Sequence, residues 1–531
     1  MKRAALGFFL LLLLSWNLWL AIVHVGVLRP PPMPAKASGS ANWWSRAEMG
    51  MNHIVVTGSP FPRGKELSRL TQDLLARQED ELMRVIDQML PVRWIQQTLV
   101  AGLITWYWDA DHYIGEEDLL EMYGVSRHAP TKYNYLIDPY TRQLAFHGLH
   151  EVGQLMVDSG VDGPMACTVA AAPVPGGWVL GRNFDFEGGR IFDQEKIVKW
   201  IFPERGYAYV SVIWAGMVGA VTGVNDHGLY ISMNAAGSDD FRRIGTPSTL
   251  VMARVLREAQ TTKEAIAILG DSRTFITDIF VILDREGSLV RVEKSPLRQA
   301  ALEHSSATIV TNHLVTPTFA SDSTNSRRMS DLTTVKRFER GEELLGKWPK
   351  GIQSKLAALQ MLTLLRDKGV DSHGQPLHLG HRAAIDALIS THSVIWDSTE
   401  EILYVSQGPS LSGRYIGYDT RATFSRRQPV VAGELPSDPS VTTQDFENLQ
   451  ADLGRWRSVR ALLNKKDCSA AKSELDQTHA SNQLHITFLH LLGDVQTCLG
   501  DSDGARQSWQ KALDAEPPYR SERVTLERKL R

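Results

Sequence analysis

The chain has 531 residues, of which 43% are hydrophobic and 22% charged; that balance is ordinary for a globular protein, and the length suggests about three units. A formal net charge of −3 leaves no broad basic field and excludes nucleic acid as an expected partner. The three cysteines, Cys167, Cys468 and Cys498, have spacings that fit neither a disulfide framework nor a zinc cluster, so stability is expected to come from packing.

Met1, Lys2 and Arg3 precede an apolar run over 4–28 that Ser15, Asn17 and His24 interrupt. About 20 apolar residues span a bilayer core. A cleavable signal peptide has a shorter core, ~7–15 residues, with a small-x-small site nearby. Here the nearest such site is Ala35-Lys36-Ala37, beyond Arg29-Pro30-Pro31-Pro32. The reading is an uncleaved signal anchor over 1–28, with Lys2 and Arg3 in the cytoplasm and the rest extracytoplasmic, periplasmic or equivalent. The alternative is a long signal peptide that is removed to give a secreted form; a buried core helix fits the basic flank less well.

Residues 29–42 are rich in Pro, Ser and Gly and read as a linker. From about 65 to 105 apolar residues recur every three or four positions, which predicts helices in a precursor segment over 43–166. From Cys167 the texture becomes short β-prone runs such as "GWVLGRNF", "AYVSVIW" and "GLYISMNA". A helix over "PSTLVMARVLREAQ", capped by Ser248 or Thr246, and a second over "TTKEAIAIL" follow. Next come a hairpin turning at Arg285-Glu286-Gly287 and the strand "ATIVTNH". Strands, a helix pair, then strands predict an α+β domain over 167–435, with helices packed on antiparallel sheet. After 435 the pattern is helical again. Leu492-Gly493, Ala505, Trp509, Ala512 and Pro517 stand at the intervals of one tetratricopeptide repeat. The tail over 436–531 reads either as a docking module for a partner protein or as a helical cap on the main domain.

Cys167 sits among small residues, with Gly163 and Ala166 before it and 168–172 after it. A thiol needs a base within hydrogen-bond reach before it acts as a nucleophile. The papain-like signature is absent, and His227 and His313 stand in no context that points to a triad; they read as structural. An ordinary cysteine protease using either histidine remains a further reading. A second route needs no histidine. If the peptide bond before Cys167 is cut, the new α-amine, with an ordinary pKa of ~7.7–8, serves as base for the same residue. Taken singly, Arg182 and Asp185 read as a strand-end ion pair, Asn234 and Asn312 as turn formers, and Cys167 as small filler.

Taken in order, these residues carry a resemblance. "CTVAAAPVPGGWVLGRNFDFEGG" resembles the start of the mature chain in N-terminal-nucleophile amidases. More narrowly it is similar to the penicillin acyltransferase-like (acyl-coenzyme A:6-aminopenicillanic acid acyltransferase, peptidase C45) family, which is related to choloylglycine hydrolases. "MVGAVTGVNDHGLYISMNAAG", "ATIVTNH" and "STNSRRMSDL" are similar to later motifs of that family in the same order across 167–335. The resemblance implies a four-layer αββα sandwich in which Cys167 opens a central strand and the Ala166–Cys167 bond is cut autocatalytically. It implies Cys167 as nucleophile, its amine as base, Asp185 as the group that orients the amine, and Arg182 as thiolate stabiliser. Asn234 and Asn312 would be oxyanion donors. Arg327, with Arg328 as the competing choice, would pair with Asp185 or the substrate. The reaction would be acyl transfer from a small-molecule amide or other acyl donor through a thioester to water or an amine, without a metal or redox cofactor. The anchor would favour lipid-derived substrates. The family commonly has Gly where this chain has Ala166, so processing is expected to be slow. That alanine also motivates a second hypothesis, an uncut, membrane-tethered binding protein whose tail carries the function.

Overall fold

The computed structural model describes residues 14–23, 28–34, 36–90, 92–148, 150–151, 153–154 and 165–531. Among them the chain is mixed α+β, with two sheets of nine and seven strands. The larger sheet comprises β1 (Gly39–Trp44), β2 (Asn52–Gly58), β5 (Ile197–Pro203), β6 (Tyr209–Ile213), β7 (Thr222–Asn225), β8 (Tyr230–Ala236), β9 (Thr277–Leu283), β10 (Leu289–Lys294) and β11 (Gln299–His304), in that spatial order. The smaller sheet has the order β12 (Thr308–Val310), β3 (Met165–Val174), β4 (Gly177–Phe186), β13 (Ser390–Asp397), β14 (Ile402–Ser406), β15 (Tyr415–Asp419) and β16 (Val431–Leu435).

The two sheets pack face to face. Val55, Val198 and Trp200 of the larger meet Val169, Leu180, Val394 and Trp396 of the smaller in one buried cluster. Each buried tryptophan removes roughly 200 Å² from water, about 5 kcal/mol by area. Helices cover the outer faces. On the larger sheet lie α1 (Pro60–Leu70), α2 (Gln72–Met89), α4 (Glu116–Ser126) and α5 (Pro139–His147), together with α6 (Ser248–Glu258) and α7 (Thr262–Asp271). Helix α3 (Arg93–Trp106) stands beside them. Next in the chain comes α8 (Ser323–Asp331), and then α9 (Thr334–Gly346) and α10 (Ser354–Leu365), which cover the smaller sheet through Leu345, Ala357, Met361 and Leu365. Strands covered on both faces need no polar alternation; β9, "TDIFVIL", is buried at every position. A Cβ at Gly181 would stand 2.5 Å from Met361, so glycine there lets α10 lie directly on β4.

Four features depart from the sequence reading. The apolar run over 4–28 lies largely outside the described residues, and its described part, 14–23, is helical. No helix among the described residues is long and apolar enough to cross a membrane, which overturns the signal anchor and the location built on it. Val23 is instead buried with Ala101, Ile104 and Ile137, and Trp19 donates to Thr105 Oγ1 at 3.0 Å. The segment before Cys167 is not wholly helical: β2 pairs in parallel with β5, Asn52 opposite Ile197, because "HIVVTG" is a β-branched run that completes the sheet. Helix α6 has neither Ser248 nor Thr246 as its cap; Pro247 holds that position, and the Glu151 carboxylate accepts the Ser248 N–H at 2.8 Å.

The fourth departure is in the tail, which comprises α11 (Thr443–Asn464), α12 (Cys468–Leu475), α13 (Ile486–Cys498), α14 (Ser502–Asp514) and α15 (Arg520–Leu530) around Trp456, Val459, Leu475, Val495 and Ala505. Packing of α12 against α13 brings Cys468 and Cys498, 30 residues apart, to a Cα separation of 5.6 Å and into a disulfide. The expectation that these cysteines form no cross-link is thereby corrected. The tail touches the main body where Ser372 N–H donates to Glu516 Oε1 at 2.9 Å and where His381 Nε2 meets the Glu516 carbonyl at 3.1 Å.

Candidate active site

Register places the first candidate residues. In the antiparallel pair β3–β4, Cys167 faces Phe184, Val169 faces Arg182, and Ala166 faces Asp185. Paired residues share a face and neighbours alternate. Cys167, Arg182 and Phe184 therefore point between the sheets, and Asp185 points toward the helices. β13 adds His392 beside Phe184 and Ser390 beside Asp185.

Cys167 is buried. Burial pushes its thiol up, and the Arg182 cation nearby offsets part of that rise. Arg182 spans the gap between the sheets: its guanidinium donates to Thr222 Oγ1 and the Met233 carbonyl, and lies 4.7 Å over the Phe184 ring. Asp185 is fully buried, and burial raises its carboxyl to about 7, against the opposing pull of the Ser390 hydroxyl and Arg337. Ser390 donates to Oδ1, while Oδ2 has no hydrogen-bond partner among the described residues.

Asn312 holds the backbone of Cys167. Its Oδ1 accepts the Cys167 N–H at 2.9 Å, its Nδ2 donates to the Ala235 carbonyl at 2.8 Å, and its own N–H donates to Thr334 Oγ1 at 2.8 Å. Asn234 Nδ2 donates to the Val310 and Thr311 carbonyls at 3.2 and 3.1 Å. Both asparagine side chains thus spend their N–H groups on carbonyls.

The structure brings Cys167, Arg182, Asp185, Asn234 and Asn312 together, but not Arg327. On α8, Arg327 lines a separate polar cavity of about 400 Å³ with Asp239, Asp240 and Thr324, and Arg328 Nη2 donates to the Gln154 carbonyl at 3.4 Å. The place expected for Arg327 is filled by Arg337 of α9. Its Nη1 donates to the Cys167 carbonyl at 2.6 Å and Thr168 Oγ1 at 2.9 Å, and its Nη2 to Asn312 Oδ1 at 2.7 Å. No local pattern in "TTVKRFERG" separates Arg337 from Lys336 or Arg340.

Neither suspected histidine bonds to Cys167. His227 packs on Tyr207 with ring centres 4.4 Å apart, and His313 Nδ1 lies within 3.1 Å of the Thr311 and Thr334 hydroxyls. His392, which the sequence did not single out, stacks on Phe184 at 5.1 Å with its Nε2 3.3 Å from Arg182 Nη1. It stands two strands from Cys167, about 10 Å, with Phe184 between. That is too far for a thiol–imidazole pair.

Beside Phe184 opens a cavity of about 130 Å³ whose walls include Phe186, Trp214 and Met217, and Leu75, Leu82 and Phe146 from the segment before Cys167.

Residues 174–381 match the family model of acyl-coenzyme A:6-aminopenicillanic acid acyl-transferase. The chain resembles that family. The matched stretch begins just after Cys167 and contains Arg182, Asp185, Asn234, Asn312, Arg327 and Arg337. No curated protein matches the chain. Among solved structures, a Caenorhabditis elegans ortholog of N-acylethanolamine-hydrolyzing acid amidase is 14% identical over 50% of this chain and 100% of its own, with a TM-score of 0.31. A variant of conjugated bile acid hydrolase from Clostridium perfringens is 13% identical over 51% and 98%, with a TM-score of 0.33. Penicillin V acylase from Agrobacterium tumefaciens is 14% identical over 45% and 82%, with a TM-score of 0.31. His392 lies outside the acyltransferase-like stretch.

Proposed function

We propose that this chain is an amidohydrolase or acyltransferase of the four-layer N-terminal-nucleophile type, activated by cleavage of its own Ala166–Cys167 bond, with Cys167 as nucleophile. The observation that carries the reading is the hold on that bond. Its N–H is fixed by Asn312 Oδ1, the next carbonyl is fixed by Arg337, and the unpartnered Oδ2 of Asp185 lies across the ladder from Ala166.

In processing, Cys167 Sγ adds to the Ala166 carbonyl carbon and the carbon–nitrogen bond breaks. The nitrogen gains a proton, leaving an amine on Cys167 and a thioester to Ala166. Water then cleaves the thioester, releasing the Ala166 carboxylate and the thiol. A neutral Asp185, whose carboxyl titrates near 7, gives a proton to the leaving nitrogen and takes up the one that the Cys167 thiol loses. In turnover the amine takes the thiol proton, the thiolate adds to the substrate carbonyl, and the same proton passes to the leaving amine. Arg182 stabilises the thiolate. Water resolves the acyl-enzyme in hydrolysis, or a second amine in transfer. The acyl group occupies the cavity beside Phe184.

The test is the intact mass of the purified full-length protein beside its C167A variant. Two pieces meeting at Ala166 and Cys167 in the natural protein alone support the reading. One uncut chain in both overturns it and leaves the second hypothesis, a binding protein.

A further inference from the structure

We infer that the cavity beside Phe184 selects an acyl group that carries a hydroxyl along its chain, over an unsubstituted hydrocarbon chain, and that Glu79, Gln143 and Thr249 read that hydroxyl. The inference rests on the proposed role of Cys167 as acyl acceptor.

The walls are largely aromatic and aliphatic, as an acyl chain requires, yet these three polar side chains also line the cavity. Each is more than nine-tenths buried, at 1%, 1% and 3% exposure respectively. Each has one polar atom with no hydrogen-bond partner among the described residues: Glu79 Oε2, Gln143 Nε2 and Thr249 Oγ1. A buried polar atom left unpaired bears its full desolvation penalty, and native interiors rarely keep one without a use for it.

The other polar side chains of the lining are satisfied within the protein. His147 bonds the Gln143 carbonyl through Nδ1 at 2.7 Å and accepts the Val218 N–H at Nε2 at 2.8 Å. Gln78 Oε1 accepts the Ala215 N–H at 3.0 Å. The unpaired atoms are an amide N–H, a carboxyl oxygen and a hydroxyl. A hydroxyl matches this set, because it accepts from the amide and donates to the carboxyl oxygen or to the Thr249 hydroxyl oxygen. An unsubstituted chain would fill the same space and leave all three unpaired.

Glu79 and Gln143 precede Cys167 in the chain, so substrate selection would be performed by the piece that processing separates. The rise of the Glu79 carboxyl to about 7, caused chiefly by burial against the pull of Arg142, lets it pair with a hydroxyl as donor or as acceptor.

The experiment compares decanoyl p-nitroanilide with its 3-hydroxy and 10-hydroxy forms on the self-processed full-length enzyme. At least one hydroxylated form is expected to have kcat/KM about tenfold above the plain chain. In Q143L and T249V, verified as folded by circular dichroism, that ratio is expected to fall toward one. A natural enzyme that prefers the plain chain, or a preference that survives both substitutions, overturns the inference. If no anilide is turned over, the cavity is tested apart from catalysis by binding of the corresponding primary amides to C167A. Tighter binding of a hydroxylated amide, read by isothermal titration calorimetry, supports selection; equal or weaker binding overturns it.

Discussion

Arg337 Nη1 donates to the carbonyl oxygen of Cys167 at 2.6 Å, and Nη2 of the same guanidinium donates to the Asn312 oxygen that holds the Cys167 N–H. One fully buried cation therefore fixes both backbone groups of the residue on which the proposed chemistry turns.

R337A is expected to abolish processing and to destabilise the protein by about 5 kcal/mol or more, since its three hydrogen bonds to Cys167, Thr168 and Asn312 contribute ~1.5–3 kcal/mol each when the donor is charged. R337K keeps the charge but loses the planar fork, so processing should be slowed and not abolished. R327A should process within about threefold of the natural rate. Intact mass over time measures all three, and loss of processing in R327A alone would return the role to that residue.

Asp185 gives a pH signature. Its carboxyl titrates near 7 in the folded protein and near ~3.9 when unfolded. Between these values the folded state holds a proton that the unfolded chain has released. Stability should fall as pH rises through that window, with the loss complete above about 7. D185N, neutral throughout, should lack this component in denaturation curves taken from pH 4 to 8. Processing should quicken as pH falls through 7 in the natural protein and be slow and flat in D185N.

Glu151 ties the segment before Cys167 to the start of α6 through the Ser248 N–H. E151A removes a carboxylate from a helix N-terminus and should cost about 1–2 kcal/mol in chemical denaturation; E151Q should recover much of it.

Breaking the Cys468–Cys498 link should loosen the tail by about 3.6 kcal/mol in the chain-entropy description of a 30-residue loop. C468S/C498S should be cut by protease between α12 and α13 at a concentration that spares the natural protein.

What could be read from residue order was local. The hairpin over 285–287 forms, with the Gly287 N–H bonded to the Asp284 carbonyl at 3.1 Å, because turn residues act over four positions. The small residues of the tail were informative for the same reason: a Cβ at Gly493 would stand 2.3 Å from Trp509 Nε1, so α13 and α14 touch there. What escaped depends on partners far away in the chain. Arg337 meets a residue 170 positions earlier, and Glu151 one 97 positions later. β2 joins a strand 145 positions on (Asn52 to Ile197), and the Cys468–Cys498 link closes only after two helices have packed. His392 stands in "STHSVIWD" with no spacing that distinguishes it from an ordinary strand histidine.

β2 is hydrogen-bonded along its whole length to β5, so the chemistry proposed at Cys167 would sever a backbone without dividing a sheet. Before the cut, refolding from denaturant is a reaction of one molecule with itself. After it, two polypeptides must find one another, and recovery becomes dependent on concentration. The molecule would assemble once as a single chain and thereafter depend on never coming apart.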